Sequence, residues 1–551
     1  MARNILFVMY DQLRWDYLSC SGHPRLSTPN FDRVAARGVR FTQAYVQSPV
    51  CGASRMSTYT GRYVHSHGAA GNNYPLRVGE LTLGDHLRAL GMGCWLIGKT
   101  HMAADAEGMA RLGLAPDSVI GARQAECGFD VVVRDDGLWA VGPDGPYDPR
   151  PSPYNAYLRA KGYPGENPWA DFANAGADGE ELASGWFMKN AGRPANLPAE
   201  DSETAWLTSR AIEFIDEARG PWLAHVSYIK PHWPYIAPAP YHALYGPEDV
   251  LPANRDAGER ADPHPVYAAF MDTPAARAFA RDEVRDTVIP AYMGLVAQCD
   301  AELGRLLDHL EATGRARDTV IVLTSDHGDY LGDHWLGEKD LFHDCSVKVP
   351  LVIADPSPEA DATRGTTCDA LVEAIDLAPT FVEMAGGAVP AHVLEGRSLL
   401  PLLRGERPGD WRRVAVSEYA YGHTPIRTRL GVAARDARLV MVADRRWKMV
   451  HAEGGFRPML FDRAADPDER VDLGARADHA GVVEEMYGHL NAWARRESQR
   501  VTMPDAALDR RAAGDPHGTG VLIGVWDEAE LPPEATAAYR GPVPRRGGGT
   551  W

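Results

Sequence analysis

Asn4–Gln12 reads NILFVMYDQ. Six apolar residues, Ile5–Tyr10, run without interruption and stop at an acid. Such a run fits a strand buried on both faces, as in a parallel sheet. The pattern recurs. Thr319–Asp329, TVIVLTSDHGD, is β-branched and passes straight into polar residues. Pro221–Tyr235, PWLAHVSYIKPHWPY, gives a strand that ends at Pro231. Leu83–His101, LGDHLRALGMGCWLIGKTH, reads as an amphipathic helix, a glycine stop, the strand CWLIG and then Lys-Thr-His. Val349–Pro356, VPLVIADP, is one more strand. Helices lie between them. Thr28 can cap one with Pro29 at its first position and Gly38 closing it. Ile289–Gly314 is a long helix with apolar residues near 3.6 spacing. Strands alternating with helices predict an α/β fold, a large mostly parallel sheet sandwiched by helices.

Ligands in such sheets bind beyond the carboxyl ends of the strands. Four strands end in chemically loaded residues: Asp11-Gln12, Lys99-Thr100-His101, Lys230–His232 and Asp326-His327. The catalytic domain is expected to span 1–405. Within it, 102–220 is rich in Gly, Pro, Asp and Trp and reads as an irregular insertion. Residues 406–500 read as short antiparallel strands with a Gly454-Gly455 turn and a helix, a smaller C-terminal α+β domain. Residues 501–551, rich in Pro, Gly, Ala and Arg, read as a tail, either disordered or an arm onto another subunit.

The whole chain has 551 residues and a net charge of −18, which argues against nucleic acid or an anionic membrane as partner. A small anionic substrate stays possible, because a few local cations can dominate one pocket. The seven cysteines are scattered, odd in number and form no C-x-x-C pair, which argues against a disulfide framework and a zinc ribbon. The first apolar run is too short for a signal peptide, and no stretch approaches the ~20 apolar residues of a membrane span. The expected location is the cytoplasm.

Asp11 and Asp326 each follow a buried strand, where a carboxylate is costly unless a cation meets it. With Gln12 and His327 beside them, two carboxylates, an amide oxygen and an imidazole make a set for a divalent ion. The plainer alternative is a pair of solvated loop aspartates. Ser48–Tyr63, SPVCGASRMSTYTGRY, places Cys51 at a helix start with Arg55 one turn on. Helix-end N–H groups and that guanidinium would acidify the thiol. A thiolate beside a hard metal is nonetheless a poor hydrolytic nucleophile, and an oxygen would serve better. The plainer alternative is a small buried cysteine.

Five motifs in order carry a resemblance: YDQLRWD, CGASRMSTYTGR, GKTHM, KPHWPY and TSDHGDYLGDHWLGEKDLFHD. Over most of 1–390 the chain resembles a type I sulfatase of the alkaline phosphatase superfamily. It is similar in particular to the bacterial arylsulfatase and phosphonate monoester hydrolase branch. The resemblance implies that Cys51 is oxidised by a formylglycine-generating enzyme, and that its aldehyde hydrate supplies the nucleophile and touches one metal. It implies that Asp11, Gln12, Asp326 and His327 bind that metal and that Arg55 steadies the hydrate. Lys99 and Lys339 would hold the sulfate oxygens. His101 would take the proton that lets the second hydroxyl re-form the aldehyde and expel sulfate. His232 would bind the substrate and protonate the leaving oxygen, and Asn72 would contact the transferred group. Cations around the non-bridging oxygens suit a transition state that spreads negative charge. A metal lowers the pKa of the attacking oxygen and aligns it.

The chain departs from the family pattern. Ala53 stands where proline is commonest in the maturation motif. The metal set is Asp-Gln and Asp-His rather than Asp-Asp and Asp-Asn. The added nitrogen shifts the expected ion from Ca²⁺ toward Mn²⁺. Asp-Gln-Asp-His resembles the phosphonate monoester hydrolases, whereas Lys99 and His101 are sulfatase-like. The expectation is therefore an arylsulfatase cleaving sulfate monoesters, promiscuous toward phosphonate monoesters and phosphodiesters. The alternative is a phosphonate monoester hydrolase or phosphodiesterase with the same nucleophile, and the third is a non-catalytic anion-binding chain. The resemblance and the tail together suggest a homo-oligomer. His65 and His67 read as structural or pocket-lining. His334 and His343 flank Lys339 as leaving-group or solvated loop histidines. The Trp-rich insertion either lines an aromatic pocket or packs.

Overall fold

The computed structural model describes residues 4–500 except 73, 116–117, 138–151 and 179–180, together with 503–513, 526, 527, 529 and 533. Most of the expected tail, 501–551, lies outside the described residues. The chain divides into two compact units, Met1–Val389 with Leu394–Ser498, and Pro390–Val393 with Gln499–Trp551. The second contributes the helix Asp505–Ala513.

The frame of the first unit is an eight-stranded sheet. Its strands are β1 (Asn4–Asp11), β2 (Val39–Phe41), β3 (Gly93–Gly98), β4 (Asp130–Arg134), β5 (Trp222–Pro231), β6 (Thr319–Ser325), β7 (Leu351–Ala354) and β8 (Thr366–Cys368). Their order is β8-β2-β7-β6-β1-β5-β3-β4, and only β7 runs antiparallel to its neighbours. All eight residues of β1 are buried. Alternate side chains serve opposite cores: Ile5, Phe7 and Met9 join one cluster, Leu6, Val8 and Tyr10 the other. A strand that must bury both faces cannot alternate polar and apolar residues, which is why β1 reads as a continuous apolar run. The helix Cys51–Thr60 packs Met56 and Tyr59 into the first core. The 31-residue helix Asp282–Ala312 packs Val288, Tyr292 and Leu303 into the second.

The register does the positioning. Tyr10 lies opposite Ser325 on β6 and Tyr228 on β5; the β1–β5 register then shifts, so Asp11 lies opposite Pro231. The polar residues after three neighbouring strands therefore emerge side by side.

Beyond the sheet, strands β9 (Ala415–Ala420), β10 (Arg438–Ala443), β11 (Trp447–Ala452) and β12 (Met459–Asp462) form an antiparallel meander. Val416, Val442, Met449 and Leu460 pack there against Met486 and Leu490 of the helix Ala480–Ala494. Gly454 and Gly455 both take φ 84° in the β11–β12 turn, a conformation open to glycine. The segment 102–220, expected to be irregular, holds the edge strand β4 and the helix Glu203–Glu217. β4 escapes a sequence reading because it is an edge: Val131 and Val132 are exposed and only Val133 and Arg134 are buried, so no long apolar run marks it. Among the described residues no helix is long and apolar enough to cross a membrane.

Candidate active site

Cys51 is the first residue of its helix, entered from extended Val50 at φ −120°. The sulfur lies 3.0 Å from His327 Nε2 and 3.7 Å from Asp11 Oδ1. Donor atoms of Asp11, Cys51, Asp326 and His327 all lie within 4.8 Å of one another, and all four residues are buried. Gln12, in the left-handed region at φ 65°, turns the chain so that its N–H donates to Asp326 Oδ1 at 3.1 Å. β1 and β6 are thereby joined at the point where both leave the sheet.

Two buried carboxylates this close need cations. Arg55, one helical turn after Cys51 and wholly buried, supplies one. Its Nε lies 2.7 Å from Asp326 Oδ2 and its Nη2 3.3 Å from Asp11 Oδ2. Nη1 donates to Lys99 O at 3.0 Å and Ser227 Oγ at 2.7 Å, so the guanidinium ties four segments together. Lys99 Nζ lies 2.6 Å from Asp11 Oδ2. Burial and Cys51 push the Asp11 carboxyl up, but Lys99, His232 and Arg55 outweigh them and hold it well below its ordinary value. Burial alone would likewise raise the Cys51 thiol; Lys339, His327 and Lys99 hold it well below its ordinary value.

His327 Nδ1 donates to Gly328 O at 2.8 Å. Nε2 is therefore the nitrogen turned toward Cys51, Asp11 and Asp326, oriented as second-sphere partners orient a metal-ligating imidazole. Burial acts downward on His327, but Asp326 and Cys51 push it up to about 9. A cation at this point would exchange with that proton. Two carboxylates and one oriented imidazole around a helix-start side chain fit a divalent ion.

The remaining predicted residues ring the sulfur. Lys339 Nζ lies 3.1 Å from Gln12 Oε1 and 3.2 Å from His232 Nε2. His232 Nδ1 donates to Trp233 O at 2.6 Å, which leaves Nε2 to accept from Lys339. Burial pushes His232 down to about 4, so it is neutral near pH 7. The His101 and His232 rings both lie near enough to the Cys51 sulfur to bear on its ionisation. Asn72 Oδ1 accepts from Gly52 N at 2.8 Å, beside Cys51. Gln12 Nε2 donates to Asp329 and to Tyr235 Oη, while its amide oxygen accepts a hydrogen bond from Lys339 Nζ.

Other histidines work elsewhere. His67 Nδ1 accepts from Ala69 N at 3.1 Å and Nε2 reaches Ser57 Oγ at 2.9 Å, a structural role. His334 and His343 stack at 3.6 Å with their planes 8° apart, and His334 Nδ1 meets Glu259 Oε1 at 2.6 Å. In-plane lone pairs on parallel rings do not converge on one ion. Trp169 packs in the core, while Trp186, 45 % exposed, meets Trp233 edge-on at 5.0 Å beside His232.

Several contributors carry no motif signal of their own. Asp329 is the last residue of SDHGD, where Asp326 and His327 draw the attention. Ser227 sits inside the apolar run of β5. Arg134 ends, and Asp136 follows, an edge strand that the sequence barely marks.

The sulfatase family model matches residues 3–388, and the C-terminal model of N-sulphoglucosamine sulphohydrolase matches 332–496. The chain is 31% identical over 523 residues to the multifunctional alkaline phosphatase superfamily protein PehA of Trinickia caryophylli, covering 89% of this chain and 95% of that one. It is 28% identical over 433 residues to an arylsulfatase of Clostridium perfringens, covering 77% and 82%. The phosphonate monoester hydrolase structure from Agrobacterium radiobacter superposes with a TM-score of 0.76 at 29% identity, covering 89% and 95%. That of Silicibacter pomeroyi does so at 0.77 and 27%, covering 90% and 95%. A family match over most of the chain, with Cys51, the acid pair and the cations gathered at one set of strand ends, shows that this chain belongs to the sulfatase family of the alkaline phosphatase superfamily.

Proposed function

We propose that this chain hydrolyses sulfate monoesters, aryl sulfates among them, with Cys51 matured to formylglycine and one divalent cation, Mn²⁺ or Ca²⁺. The observation that carries the proposal is a single buried sulfur faced by Lys99, Lys339, His101, His232 and His327, with Arg55 behind it bridging both acids. Asp11, Gln12, Asp326 and His327 would hold the cation, which together with the hydrated aldehyde supplies an acidified, aligned oxygen nucleophile. A formylglycine-generating enzyme is then the maturation partner.

This chain's own residues do the rest. Lys99 and Lys339 place two ammonium groups where non-bridging sulfate oxygens would sit, preorganised by Asp11 and by Gln12. His232, with Nδ1 committed to Trp233 O, accepts from Lys339 through Nε2 and so holds Lys339 to donate a hydrogen bond to the ester oxygen as the alcohol departs. His101 takes the proton whose loss releases sulfate. Trp233 and Trp186 give an aromatic leaving group a surface next to His232.

The similarity to phosphonate monoester hydrolases supports a second activity at the same site, toward phosphonate monoesters or phosphodiesters. Lys99, paired with Asp11, favours the sulfate monoester as the better substrate. The test has two parts. Mass spectrometry of the tryptic peptide Phe41–Arg55, from protein made with a formylglycine-generating enzyme, should show the Cys51 sulfur replaced by an aldehyde oxygen. That protein should turn over 4-nitrophenyl sulfate faster than phenyl phosphonate esters. A retained thiol, or the reverse ranking, sinks the corresponding half.

A further inference from the structure

His101 lacks what usually aims a catalytic histidine. Its Nδ1 is buried and has no hydrogen-bond partner among the described residues. No carboxylate or carbonyl orients the ring from behind, as Gly328 O orients His327 and Trp233 O orients His232. The direction of the ring is therefore set by its own backbone, and that backbone is in the left-handed region at φ 55°. A residue with a β-carbon stays there only where its surroundings hold it.

What holds it is one side chain. Lys99 N still follows the sheet, donating to Ser227 O at 3.0 Å. The next two amides turn away. Thr100 N and His101 N both donate to a single oxygen, Oδ1 of Asp136, at 3.0 and 2.9 Å. Successive amides around one anionic oxygen form a nest, here with the anion supplied by the protein itself. The other carboxylate oxygen of Asp136 is gripped by Arg134, through Nε at 2.8 Å and Nη2 at 2.7 Å. The same Nη2 donates to Met102 O at 2.8 Å, and Nη1 reaches Glu126 Oε2 at 2.9 Å. Arg134 closes β4 and is buried, so the clamp is built on the sheet. Burial raises the Asp136 carboxyl, but Arg134 and the His101 amide outweigh it, so it stays ionised.

We infer that Asp136, backed by Arg134, is the positioning residue that aims His101 at the nucleophile. The assignment rests on the proposed sulfate ester hydrolysis, in which His101 acts only after the alcohol has left. Removing the clamp should then slow the late step and spare the early one.

The formylglycine-bearing full chain is compared with Asp136→Ala and Asp136→Asn. Hydrogen exchange followed by mass spectrometry should show the Thr100 and His101 amides exchanging at least about 10-fold faster in Asp136→Ala, with β1 and β6 unchanged. With 4-nitrophenyl sulfate, kcat should fall about 100-fold while kcat/KM stays within about 3-fold. A burst of about one equivalent of 4-nitrophenol should appear before the slow phase. Asp136→Asn keeps an acceptor oxygen but loses the charge for Arg134, so it should fall between the two; it carries both readouts if the alanine variant does not fold. Wild-type exchange at Thr100 and His101 in the variants overturns the inference. So does an equal fall in kcat and kcat/KM with no burst. If the unmutated chain cleaves no sulfate ester yet the exchange responds, the sulfatase proposal fails and the hold of Asp136 on His101 stands.

Discussion

Asp11 and Lys339 both lie near the Cys51 sulfur but arrive by opposite routes. Asp11 ends a strand buried on both sides between parallel neighbours, and its position follows from register. Lys339 comes from a loop with no strand, in which Leu331, His334, Trp335, Glu338 and Asp340 all take positive φ, from 48° to 94°. Each such residue costs on the order of 1 kcal/mol or more, so the loop must be held from outside. Asp333 pairs with Arg14 at 2.7 Å, and His334 with Glu259 at 2.6 Å. Trp335 Nε1 donates to Asp256 O at 2.7 Å, with Arg255 and Arg260 on its ring. Cys51 and the acid pair are thus placed by burial and sheet register, and the outer cation by a set of separate polar anchors. Loss of the guanidinium that holds the acid pair should cost both fold and chemistry. Damage to the outer cation should cost chemistry first.

The largest effect tests the centre itself. Cys51→Ala should lower kcat/KM for 4-nitrophenyl sulfate by about 10⁴-fold or more, with an unchanged circular dichroism spectrum. Next, Arg55→Ala strips buried Asp326 of its guanidinium and leaves Asp11 with Lys99 alone, and should destabilise the fold by about 3–5 kcal/mol in urea melts. Lys339→Ala should cost about 10²–10³-fold in kcat/KM but less than half the stability loss of Arg55→Ala. Equal stability losses would break the contrast between the two regions. Lys99→Ala should reduce sulfate turnover about 10-fold more than phosphonate turnover, measured as the ratio of the two kcat/KM values; an unchanged ratio removes Lys99 as the discriminator. His334→Ala loosens the Lys339 loop alone and should cost about 1–2 kcal/mol, read from the same melts.

The smallest effect is in pH. Asp344, just past the loop, is partly buried, which raises its carboxyl, but Lys448, Arg463 and Lys348 hold it well below its ordinary 3.8. A depressed carboxylate contributes stability that is present above 3.8 and lost as pH falls through its folded value. Asp344→Asn should flatten that acid limb in melting temperatures taken below pH 4, with little change in its slope near pH 7. An unaltered acid limb would mean that other groups control it.

Much of this molecule was legible without coordinates. A strand buried on both faces has to be written in apolar residues, so β1, β5 and β6 announce themselves, and the polar residues after them mark the site. The segment 102–220 was less legible, because an edge strand such as β4 needs only one covered face. Asp136 was invisible for the same reason: a carboxylate that binds two backbone amides of a distant turn has no spacing to reveal it.

The chain by itself determined the sheet's inner strands, the gathering of Asp11, Lys99, His232 and Asp326 at their ends, and the family, because hydrophobic periodicity and short motifs are local. Only the tertiary structure decided which cation meets which acid, that His327 presents Nε2, and that His101 is aimed by Asp136 from another strand. Those are pairings between residues far apart in sequence. They are set by distances of about 3 Å, a scale at which hydrogen bonds form or fail and linear order carries no information.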